Sequence, residues 1–173
     1  MPFTPLHMGP GLLFKAVLRG SFSLMVFGWS QIVMDIQPLL VILTGQGHLH
    51  GITHTYIGAS LLALVSALSG KYLAELGLRL TRQACHVPIG WLTALCSAAI
   101  GTYSHIVLDS VMHVDIEPFW PWSSSNQLHG LVDIDTLNWA CIGSGLMGTV
   151  LYYGLPHWHK VSRTYRSRHG RQA

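Results

Sequence analysis

Apolar runs of unequal length alternate with short polar or glycine-rich breaks along the whole chain. Residues 5–19 form the first run, with Pro5 at a natural helix start. At about 1.5 Å per residue it is too short to cross a hydrocarbon core of about 30 Å alone. Gly20 breaks it, and residues 21–37 climb back. Pro38 is expected to stop or kink that second helix, with residues 39–44 finishing the span or lying along the interface. Residues 45–51, Gly-Gln-Gly-His-Leu-His-Gly, read as a loop. An apolar segment over 52–68 ends at Ser69-Gly70, and residues 71–87 form a basic, amphipathic connector facing solvent or headgroups. Residues 88–113 make the longest apolar helix and 114–135 a polar-aromatic loop, in which Trp120 and Trp122 suit an interface. The last span is residues 136–156, where Gly143, Gly145 and Gly148 permit close helix packing. The pattern predicts an all-α fold: a polytopic membrane helical bundle of four to five transmembrane segments, the first one short. The membrane domain covers 1–157 and a basic tail 158–173.

Composition agrees. Half of the 173 residues are hydrophobic and 10% are charged, against about 25% in soluble domains; the mean hydropathy is +0.39. Cys85, Cys96 and Cys141 have no CxxC spacing and read as small apolar helix residues. No basic residue precedes the first apolar run, so no cleavable leader is expected.

Charge then sets an orientation. The turn at 15–20, the connector 71–87 and the tail 157–173 hold two, three and five Lys or Arg residues, which accounts for all ten. The loops 39–51 and 114–135 hold none and carry Asp115, Glu117, Asp133 and Asp135. By the positive-inside rule the basic turn, connector and tail are cytoplasmic. The expected location is the cell's inner (plasma) membrane, multi-pass. The basic tail is accounted for by topology and attraction to anionic lipid, and no nucleic-acid partner is expected.

Against this apolar background the ionisable residues stand out, because such groups are costly within a membrane and mark function there. His105, Asp109 and His113 recur every fourth residue, so on a helix they share one stripe. That stripe can place two neighbours around one cation or span a two-metal site. An antiparallel hairpin turning at Gly20 brings His7 and Asp35 to nearly equal height. His54 opens its apolar segment, and His50 lies four residues earlier in a loop where an exposed polar role is equally natural. The candidates are therefore His7, Asp35, His50, His54, His105, Asp109 and His113, falling toward the outer half of the membrane. Imidazole and carboxylate donors without thiolate suit a divalent metal, zinc first, with manganese or iron also accommodated, in a catalytic rather than a structural centre. Such a metal generates a hydroxide nucleophile beside the headgroups, and a spare His or Asp can move the proton.

Four short stretches also carry a resemblance. Thr4-Pro5-Leu6-His7, Met34-Asp35-Ile36, Gly51-Ile52-Thr53-His54-Thr55 and His105-x3-Asp109 are together similar to the membrane-bound metal-dependent hydrolases of bacterial inner membranes, which are related by motif to zinc-dependent phospholipases C. The likeness covers roughly residues 1–115. It implies that His7, Asp35, His54, His105 and Asp109 are metal-site residues. Gln37 stands where relatives often have a second acid, and Leu49-His50-Gly51 where they often read His-Arg-Gly. The expected activity is hydrolysis of a phosphoester or similar bond in a membrane lipid or lipid-linked substrate, with His113 and His50 as catalytic acid–base groups. Two other classes fit the same residues: a metal or proton transporter, which needs polar groups through the full depth of the membrane, and a non-catalytic adaptor that keeps a structural metal.

Overall fold

In the computed structural model of the chain, residues 4–83 and 86–154 are described, and all of their regular structure is helical. A 3-10 turn at Thr4–His7 leads into α1 (Met8–Leu18), followed by α2 (Leu24–Thr44), α3 (Tyr56–Leu80), α4 (Trp91–Met112) and α5 (Ile134–Thr149), which a π-helical turn extends over Val150–Gly154. Three helices are long and apolar enough to cross a membrane: α2 with 21 residues, α3 with 25 and α4 with 22. At the helical rise these reach about 31 to 37 Å, against a core of about 30 Å. Cys85 and the basic tail from His157 lie outside the described residues.

Two sequence expectations fail at helix boundaries. Of the outcomes expected at Pro38, the stop does not occur: α2 runs six residues further to Thr44, so residues 39–44 finish the helix. Pro38 is itself buried, and packed neighbours let a membrane helix carry a proline. The stop comes instead at Gly45, whose φ of 68° is the left-handed C-cap conformation and whose N–H bonds Val41 O at 2.8 Å. Likewise Ser69-Gly70 does not end α3, and residues 71–80 continue the helix rather than forming a separate connector. Lys71 and Glu75 are buried there, not turned to headgroups. They pair with each other, Glu75 Oε1 also accepts from Ile89 N at 3.0 Å, and Lys71 Nζ sits 5.1 Å from the Trp91 ring centroid. A glycine helix interior survives because Gly70 is where α3 meets Trp29: a Cβ would fall 2.7 Å from Trp29 Cδ1.

The helices sort into two groups. Helices α2, α3 and α4 pack on one another, while α1 packs chiefly on α5. Small residues make both contacts close, as expected where lipid supplies no hydrophobic drive between helices. Ala59, Ala63, Ser66, Ala67 and Ala74 line the buried face of α3, and Ala94, Ser97, Ala98 and Gly101 that of α4. A Cβ on Gly9 would lie 2.0 Å from Cys141 O, and one on Gly148 2.5 Å from the Leu12 carbonyl carbon, so α1 and α5 touch backbone to backbone. Outward faces are apolar, with Ile32, Leu40, Leu61, Leu68, Leu92 and Val107 all exposed. The buried set includes His54, His105, Gln31 and Thr102. Polar inside and apolar outside is the distribution of a protein dissolved in lipid. The fold is a polytopic all-α bundle.

Polarity is unequal along the bundle. Near the starts of α2 and α4 and from the middle of α3 onward, Val26, Ala67, Ala74, Ile89, Ala94 and Ala98 close into an apolar cluster. His7, Asp35, His50, His54, His105, Asp109 and His113 gather at the other end, by the loop of residues 113–133. Asn126 ties that loop down by donating from Nδ2 to Ser110 O and to His113 O, both at 2.9 Å. Tyr56 N donates to Pro118 O at 2.9 Å, joining the loop to the start of α3.

Candidate metal centre

Each element contributes to the centre for a local reason. On α2, Phe27, Ser30, Gln31, Met34 and Pro38 are buried, at the spacing of one helical face, and Asp35 borders that stripe with its side chain 30% exposed. On α4, His105 and Asp109 are one turn apart on the buried face. His54 is presented by the short 3-10 turn before α3. Thr55 fixes that turn, accepting from Gly58 N at 3.0 Å as helix cap while donating to Ile52 O at 2.8 Å. A Cβ on Gly58 would lie 1.9 Å from Ile52 O, so glycine there lets the turn fold back on the helix.

Asp35, His54, His105 and Asp109 each offer one ligand atom, and the four atoms all lie within 4.8 Å of one another. His105 Nε2 is 3.3 Å from Asp35 Oδ1 and 3.2 Å from Asp109 Oδ2; His54 Nε2 is 3.6 Å from the same Asp109 oxygen. Despite these approaches, Nε2 of His54 and Nε2 of His105 are buried without a hydrogen-bond partner.

Their other ring nitrogens explain this. Gln31 Nε2 donates to Gly101 O at 2.9 Å, which turns Gln31 Oε1 toward His105 Nδ1 at 2.8 Å. That nitrogen must therefore carry the proton and donate it. A second relay serves His54. Gln37 Nε2 donates to His48 O at 3.2 Å, Gln37 Oε1 accepts from Thr53 Oγ1, and the Thr53 oxygen faces His54 Nδ1 at 3.0 Å. With the threonine proton committed to Gln37, His54 Nδ1–H is the donor. Both imidazoles thus aim an Nε2 lone pair at two carboxylates. Lone pairs and carboxylates this close, three of the four groups buried, make a setting that suits a cation. Outer partners that fix a ligand's tautomer are characteristic of metal-binding histidines. The residues present can hold a metal ion.

The remaining candidates surround this core. His7 is buried, its Nε2 3.5 Å from Asp109 Oδ1 and its ring 5.0 Å from that of His105. It approaches the far oxygen of Asp109 and stands beside the four-residue group. His50 does not lie on an exposed loop face: it is 6% exposed, with Nδ1 2.8 Å from Asp115 Oδ2, whereas its neighbour His48 is exposed. Partial burial pulls the Asp115 carboxyl upward, but the hydrogen bond with His50, the charge of the neighbouring histidines and a backbone N–H together hold it below the usual carboxylate range. His113 caps the end of α4, half-buried, its ring 4.5 Å from that of His50.

Four supporting residues escaped the sequence reading: Gln31, Gln37, Thr53 and Asp115. Gln31 had a usable signal, since a glutamine one turn before Asp35 in an apolar span is itself costly. Gln37, in the position of an expected second acid, serves the centre through Thr53 rather than as a ligand. Thr53 and Asp115 had no signal beyond adjacency to histidines.

No curated protein and no solved structure matches the chain at a significant level. The family model described as YdjM inner membrane protein matches residues 14–166, a stretch that contains every candidate named above except His7. The chain belongs to the YdjM inner membrane protein family.

Proposed function

We propose that this protein is a membrane-bound metal-dependent hydrolase acting on a phosphoester or similar bond of a lipid or lipid-linked substrate. The observation that carries the reading is the pair of buried, unpartnered Nε2 atoms on His54 and His105, each with its Nδ1 engaged, converging on Asp35 and Asp109. Four nitrogen and oxygen donors without thiolate suit zinc, and manganese or iron are also accommodated. A divalent cation there supplies a hydroxide-like nucleophile at neutral pH and Lewis-acid polarisation of a phosphoryl oxygen.

The chain's own residues do the rest. Gln31, Thr53 and Gln37 orient the histidines. Asp35, with its side chain 30% exposed, is the most accessible of the four donors. His7, beside the second oxygen of Asp109, is placed to accept or return a proton. The distribution of basic segments supports placing this end of the bundle on the outer side of the inner membrane, beside the headgroups. Transport fits less well, because the apolar cluster of Val26, Ala67, Ala94 and Ala98 fills the opposite half and leaves a one-sided site.

The test is metal analysis of the detergent-purified chain beside a His105→Ala, Asp109→Ala double variant, with both assayed for release of phosphorylated headgroups from mixed phospholipid micelles. The expected result is stoichiometric metal and turnover in the wild type, both lost in the variant. Wild type that stays metal-free after loading, or a variant that keeps its metal, would overturn the reading.

A further inference from the structure

His50 and His113 form a second group with Asp109. One ligand atom from each lies within 4.8 Å of the other two. The two rings are 4.5 Å apart and inclined by 30°, and the His50 ring stands 4.9 Å from that of His54. The arrangement repeats the logic of the inner group. His50 Nδ1 is engaged by Asp115 Oδ2 at 2.8 Å, and His50 Nε2 is buried with no partner. The position of His113 is held from behind, where Asn126 Nδ2 donates to its carbonyl at 2.9 Å. A structural His50–Asp115 pair accounts for one ring nitrogen of His50. It leaves the other, 6% exposed residue and all, aimed at nothing the protein supplies.

We infer that the centre takes two divalent cations, the second on His50, His113 and Asp109, with Asp109 shared between the two positions. This deepens the hydrolase reading and rests on it. A carboxylate has two oxygens and can serve two cations, whereas His50, His54 and His105 each offer one unpartnered nitrogen. Asp115 then acts as a positioning residue, holding the His50 tautomer from the loop side. A paired centre suits phosphoesters in particular, because two cations can stabilise the attacking and the leaving oxygen of one phosphoryl group.

The experiment uses the full chain in detergent, stripped with chelator and reloaded with Mn2+ alone, then with Zn2+ alone. Elemental analysis is expected to give two cations per wild-type chain, one in a His50→Ala, His113→Ala double variant and none in Asp109→Ala. The Mn2+-loaded wild type, which needs no variant to fold, should also give the electron paramagnetic resonance spectrum of an exchange-coupled pair, and the double variant that of isolated ions. One cation per wild-type chain with uncoupled spectra would overturn the second position while leaving the inner centre standing. No cation in the wild type would overturn both.

Discussion

Two neutral amides do much of the ordering at the centre. Gln31 and Gln37 never face the converging donor atoms, yet each fixes which nitrogen of a histidine is free. Outer partners of this kind typically change metal affinity by about 10–100-fold. Gln31→Leu and Thr53→Val are therefore expected to weaken metal binding by about that factor while every ligand remains in place, measured by competition with a fluorescent chelator. Unchanged affinity in both would show that the tautomers are set some other way. The donor residues that the structure brings together were legible in the sequence because ionisable groups are rare in apolar segments. Their supports were not, since glutamine and threonine become informative only once a neighbour's carbonyl is seen to occupy one end of them.

At the scale of helices, the ends are built by side chains and the contacts by missing ones. Thr55 caps α3 and bonds back to Ile52 at once, so Thr55→Ala should cost about 1–2 kcal/mol and loosen the turn that carries His54. Gly101 is the opposite case. A Cβ there would sit 1.9 Å from Ser30 Oγ and 3.2 Å from Phe27 O, and the Gly101 carbonyl is what orients Gln31. Gly101→Ala is expected to lower stability by about 1–3 kcal/mol through overpacking and to reduce metal affinity as α4 moves away from α2. Paired thermal unfolding and metal titration would check this; a stability loss with affinity unchanged would show that Gln31 follows α4. Helix existence was readable from apolar runs and breaks, but Pro38 and Gly70 misled. Both are breakers only when nothing packs around them, and neighbours in three dimensions are what a linear pattern omits.

For the whole molecule, the division between a polar end and an apolar end gives the topology a direct consequence. The positive-inside rule, applied to the basic segments, leads us to expect residues 113–133 outside. In a cysteine-free background, Gly130→Cys should react with a membrane-impermeant maleimide in intact spheroplasts, and Arg79→Cys only after the membrane is opened. The reverse pattern would invert the protein and move the centre to the cytoplasmic face. The bundle class followed from hydropathy alone. How α1 and α5 pair, apart from the other three, rested on Gly9 and Gly148 meeting opposing backbone, which composition cannot foretell.

The four inner donor atoms come from residues 35, 54, 105 and 109, on three segments distant in sequence. A bound cation is thus a cross-link among α2, the turn before α3, and α4, closing long stretches of chain as a covalent staple would. Its binding energy becomes folding energy: at a free concentration 100 times the dissociation constant, such linkage contributes about 2.7 kcal/mol. Melting temperature should therefore climb with metal concentration in the wild type and stay flat in Asp109→Ala, so that heat resistance alone reports how full the centre is.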